Sequence, residues 1–190
     1  TPGLEDSRAL HAHIKKLQAK SRLLLPAQVL EHFVTHVAVN DPLEQEAKVI
    51  RQVLRSDILL YIIDVREPFL EKYRLELEIL TQAAKPIVPV FNFIAGHPQE
   101  LAQWRQNLAA YNMHATLEFD TVAFTFEAEK RLYQKMQTLL ETYYTPLQKL
   151  IDYRAKLWNQ LCLSGSKRIA DLIVSVACYR ENKMMKHHQI

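Results

Sequence analysis

Two apolar runs set the terms for this chain. Ile58–Ile63 holds six consecutive apolar residues and ends at Asp64, and Ile87–Ile94 is apolar except for Pro89 and Asn92. Between them Leu70, Tyr73, Leu77, Leu80 and Ala84 recur at helical spacing. Unbroken apolar strands linked by a helix are the mark of a parallel sheet covered on both faces, so a right-handed β-α-β unit with a fully buried first strand is expected. A helix opening at Pro98, with Leu101, Trp104, Leu108 and Tyr111 turned inward, and a short strand over residues 115–119 extend the order. Pro89 makes the middle of the second strand its weakest part, because proline cannot donate to a ladder.

Helices are expected on either side of this unit. Leu10, Ile14 and Leu17 mark one over residues 7–20, and Pro26 opens a second with Val29, Leu30, Phe33, Val34 and Val37 on one stripe. Asp41 suits the cap of a third, with Pro42 in its first turn, Glu44 at capping-box distance, and Ala47, Ile50 and Leu54 following. From about Phe126 the period is helical throughout. Pro146 should break that pattern, and Gly165 with its flanking serines should break it again before a last helix carrying Ile169, Leu172, Ile173 and Val176. The composition and period shift puts a boundary near residue 125, dividing 1–125 from a helical segment 126–190.

With 190 residues, 48% of them apolar and 24% charged, the chain can bury a sizeable core and is not a disordered polymer. The formal charge is only +3, and the basic excess lies in residues 151–190, with seven Lys or Arg against three acids. Aromatic residues are not interleaved with arginine clusters, so a nucleic-acid surface is not expected. Cys162 and Cys178 sit inside apolar helical patterns and read as buried free thiols of a cytoplasmic protein. No apolar run approaches the roughly 18 residues of a membrane span. Basic residues beside apolar ones in 167–190 leave peripheral membrane contact as a weaker alternative. The histidines read as surface residues, with no metal-ligand spacing among them. Glycine is scarce: Gly3, Gly96 and Gly165 are the whole complement, where roughly 13 would be usual. No two are close, so these residues cannot form a glycine-rich phosphate loop.

Parallel sheets bind ligands beyond the carboxyl ends of their strands, which singles out Asp64 and Arg66, then Asn92, then Asp120 and Thr121. An acid, an amide and an acid could together hold a polar ligand or Mg2+. The same residue types serve equally as caps and turn formers.

The opening Thr1, Pro2, Gly3 resembles the Asp-x-x-Gly motif of translation-factor-related P-loop GTPases, its aspartate falling just before Thr1. Further stretches carry the likeness: DVREP at 64–68, KYRLELEIL at 72–80, PVFNF at 89–93 and FDTVAF at 119–124. With the helical tail they resemble a bacterial family of predicted GTPases in which a GTP-binding domain precedes a conserved C-terminal domain of unknown function. The resemblance spans nearly all 190 residues. It implies a partial P-loop GTPase-like α/β sheet: three distal strands with the N-terminal half missing, a helical region inserted at about 7–55, and a helical C-terminal segment. It further implies that Gly3 faces the terminal phosphate, Asn92 the base, and Asp120 and Thr121 the base from the other side, with GTP and Mg2+ bound by the full-length parent. The base-recognition stretch Asn92, Phe93, Ile94, Ala95 keeps the Asn of Asn-Lys-x-Asp and loses the Lys and the final Asp. Leu4 stands where Ras-like enzymes place a water-positioning glutamine. No catalytic or metal-ligating residue is therefore assigned within the chain, and tight nucleotide binding by residues 1–190 alone is not expected. A degenerate GTPase-like scaffold, partnered by another protein or a second copy through helical faces, is the alternative.

Overall fold

The computed structural model describes residues 3–20, 23–38, 40–120 and 125–187, with side chains through Tyr179. It is an α/β fold whose three-stranded parallel sheet runs in the order β1-β2-β3 and is flanked by helices. The elements are α1 (Ser7–Lys20), α2 (Pro26–His36), α3 (Glu44–Arg55), β1 (Leu59–Asp64), α4 (Glu71–Thr81), β2 (Ile87–Asn92), α5 (Pro98–Ala109), β3 (Leu117–Glu118) and α6 (Phe126–Leu139). After them come a 3-10 turn over Glu141–Tyr143 and α7 (Tyr144–His187). Residues Thr1–Leu140 form one compact unit and Glu141–Ile190 another.

Three cores hold the first unit. The apolar stripes of α1, α2 and α3 meet at Leu10, Ile14, Leu30, Phe33 and Ile50, and Ile79 and Ala83 from the α4 region join them. On one face of the sheet, Ile63 and Phe91 pack with Leu77 of α4 and with Trp104 and Leu108 of α5. On the other, Val88, Val90 and Leu117 pack with Leu132 and Leu139 of α6. That second face is covered only over β2 and β3. Leu60 and Ile62, which share it on β1, are 40% and 60% exposed. The expectation that β1 is buried on both faces is therefore corrected: an apolar run records what a strand could bury, and here one side of it lacks a cover among the described residues.

Pro89 lies inside β2, the central strand, paired with Tyr61. The even-numbered Pro86, just before β2, and Asn92, at its end, accept from Leu59 and Val65 of the β1 side, while Phe91 accepts from Phe119. Successive residues of a parallel strand bond alternately left and right. Pro89 thus points toward β3, and β3 begins only at Leu117, opposite Val90. Its missing N–H costs no ladder bond.

Other expectations need correction too. Helix α3 opens at Glu44 rather than behind an Asp41 cap; Asp41 Oδ1 instead accepts from Leu43 N at 2.8 Å and shapes the preceding turn. Pro146 does not break the last helix but lies in the first turn of α7, where its missing N–H would be an orphan anyway. Gly165 does not break it either, at a cost of about 1 kcal/mol relative to alanine. Cys162 and Cys178 are exposed free thiols rather than buried ones. His11 is buried rather than at the surface, its Nε2 2.7 Å from Glu78 Oε2, and it joins α1 to α4. No helix among the described residues is long and apolar enough to cross a membrane.

Candidate functional site

The carboxyl ends of β1 and β2 lie side by side, because the register pairs Asp64 with Asn92. Asp64 accepts from Arg66 three times: Oδ1 from the backbone N at 3.0 Å and from Nε at 2.9 Å, and Oδ2 from Nη2 at 2.6 Å. This fork locks the turn leaving β1. The Arg66 hydrogen bonds hold the Asp64 carboxyl below its ordinary range and push the guanidinium further up. The guanidinium carbon lies 3.9 Å above the centre of the Phe93 ring. Phe93 has φ +56°, a left-handed conformation that costs an ordinary residue about 1–2 kcal/mol. Asn92 Oδ1 accepts from Phe93 N at 2.9 Å and fixes that bend.

Beside this stack the β1–α4 turn is pinned to α5. The Trp104 indole donates to Glu67 O at 2.8 Å, and Phe69 and Tyr73 meet the Trp104 ring edge-on at 5.1 and 5.0 Å. The Glu67 carboxylate accepts from the Tyr73 hydroxyl and from Lys72, and these bonds hold it below its ordinary range.

The residues singled out from the sequence separate into two places. Asp64, Arg66 and Asn92 are brought together at the strand ends, and Asp120 follows β3 at the same end of the sheet. Thr121 lies outside the described residues. Gly3 lines a groove of about 540 Å³ along β1, with Leu4, Val53 of α3, Ile58–Ile62, and Tyr73, Glu76 and Leu80 from the α4 side. Tyr61 donates to Glu76 Oε2 at 2.8 Å in this groove. Burial pushes the Glu76 carboxyl up, and burial together with the Glu76 carboxylate pushes the Tyr61 hydroxyl far up.

Phe93 and the Tyr61–Glu76 pair carry no advance signal of these contacts in the sequence. A left-handed phenylalanine is against its residue type, and Tyr61 and Glu76 are fifteen positions apart on different elements. Among the described residues no three His, Cys, Asp or Glu side chains gather to hold a metal ion.

No curated protein and no solved structure matches the chain. A family model described as a domain of unknown function, DUF3482, matches residues 105–189, less than half of the chain, from within α5 to past the end of α7.

Proposed function

We propose that this chain carries the distal part of a P-loop GTPase-type sheet, its three strands β1 to β3, together with a helical region that belongs to a GTP-binding protein. The observation that carries the reading is the state of β1. It is an edge strand with an exposed apolar face, and Gly3, from the Asp-x-x-Gly-like start, lines the groove along it. In this reading the phosphate-binding strand and loop, which residues 1–190 do not contain, lie along that edge. Asn92 is then at the base end of the site, Gly3 at the phosphate end, and Asp120 on the far side of the base pocket, the role the resemblance implies for it together with Thr121. The model of the domain of unknown function begins within α5 and spans β3 as well as the helices after it, so it overlaps the third strand of the sheet in this reading.

Titration of mant-GTP, in Mg2+ buffer, into a polypeptide extending upstream of Thr1 tests this. Saturable binding with phosphate release is expected, whereas residues 1–190 alone should bind no tighter than the millimolar range. A flat titration of the extended polypeptide contradicts the reading.

One set of observations favours a second reading, a GTPase-like scaffold without hydrolysis. Phe93 stands where the family has lysine and is covered by Arg66, Ala95 has no carboxylate for the base, and Leu4 has no group to orient water. Mant-GTP binding without phosphate release would select it.

A further inference from the structure

The opposite edge of the sheet carries a different cavity. A cleft of about 490 Å³ lies between β3, α5 and α6, lined among others by Arg105, Thr116, Glu118, Arg131, Gln134 and Lys135. Arg105 is paired with Glu118. Arg131 and Lys135 form no ion pair among the described residues, and the acids of their own helix are engaged elsewhere: Glu127 lies 4.0 Å from Lys130, and buried Glu129 accepts from the Tyr133 hydroxyl. Four residues apart, Arg131 and Lys135 share one face of α6 and repel each other. Two uncompensated cations held together at the wall of a cavity are a fit for an anion.

The second observation is the strand itself. β3 pairs only with β2 among the described residues, through Val90–Leu117 and Phe91–Glu118; Phe119 N donates to Phe91 O, so by alternation the Glu118 N–H and C=O turn outward to the same cleft. An extended peptide can use such an edge for main-chain bonds while its side chains meet the cations. A single-stranded nucleic acid would instead call for aromatic stacking platforms, and no aromatic residue lines this cleft.

We propose that the cleft between β3 and α6 is a docking site for an acidic peptide segment, held by Arg131 and Lys135 and laid along the free edge of β3. This site uses neither Asp64, Arg66 and Asn92 nor the β1 groove, so its test does not depend on nucleotide binding.

Fluorescence anisotropy of a labelled hexapeptide alternating glutamate and valine, titrated with the chain at low salt, tests it. Saturable binding is expected, and it should weaken by about tenfold or more in the Arg131→Gln/Lys135→Gln double variant, which loses two charge-assisted contacts. Circular dichroism melts of the variant should overlay those of the parent, so that lost binding is not lost folding. The same peptide with lysine for glutamate should not bind. No saturation with the acidic peptide below about 1 mM, equal affinity for the lysine peptide, or tighter binding of an oligothymidylate of equal charge would overturn the proposal. So would unchanged affinity in the double variant; should that variant fail to fold, Lys135→Gln alone carries the same comparison.

Discussion

β1 and β3 are the two edges of one sheet, and they are finished in opposite ways. β1 presents Leu60 and Ile62 and a largely apolar groove in which Tyr61 and Glu76 are bonded to each other. β3 is two residues long and sits in a cleft walled by charged side chains. Short, charged edges resist unwanted pairing, and long apolar ones invite it. The contrast teaches that the two edges suit different partners. The apolar edge fits a permanent continuation of the sheet, as the GTPase reading requires, and the charged edge fits a partner that comes and goes.

The largest effect that could sharpen this contrast is within β1. Ile63 is 3% exposed and its neighbour Ile62 is 60% exposed, on opposite faces. Ile63→Ala should lower the unfolding free energy by about 2–4 kcal/mol, and Ile62→Ala by about 1 kcal/mol or less. Urea denaturation measures both, and equal losses would mean that the outer face of β1 is covered after all.

Next comes the groove carboxyl. Because burial raises the Glu76 pKa above its ordinary value of 4.5, the folded chain binds more protons than the unfolded chain between those two values. Stability is then greatest in acid, as far as this group is concerned, and falls as pH rises through that window. Glu76→Gln should remove that component and leave a flatter profile of unfolding free energy against pH. An unchanged profile would place Glu76 in water.

The smallest effect belongs to the other edge. Arg131→Glu turns a repulsive pair with Lys135 into an attractive one and should raise stability by about 0.5 kcal/mol while abolishing acidic-peptide binding. A melting temperature that falls instead would show that Arg131 already has an anionic partner in the folded chain.

Much of the sheet was legible because its signals are local. The apolar runs locate β1 and β2 to within two residues, and Pro26 and Pro98 mark the first residues of α2 and α5. What escaped depends on parts distant in sequence. Apolarity made β1 look buried on both faces, yet burial of Leu60 and Ile62 needs a neighbour that no local pattern supplies. His11 looked partnerless because Glu78 is 67 positions away. Gly165 looked like a break because glycine is a poor helix former, yet its single penalty is small against the bonds of a 44-residue helix. At the candidate site, Asp64 and Asn92 were visible as the residues ending apolar runs. The stacking of Arg66 on Phe93 was not, since it requires a left-handed bend that phenylalanine rarely takes.

Amide hydrogen exchange along β1 tests the central claim most directly. Leu59 and Val65 donate toward β2, so by alternation the N–H groups of Leu60 and Ile62 face the open edge. Residue-resolved exchange on residues 1–190 should show these two amides exchanging fast and those of Tyr61 and Ile63 protected. In a polypeptide extending upstream of Thr1 the account predicts that Leu60 and Ile62 become protected as well. Fast exchange at both positions in the longer polypeptide would contradict it.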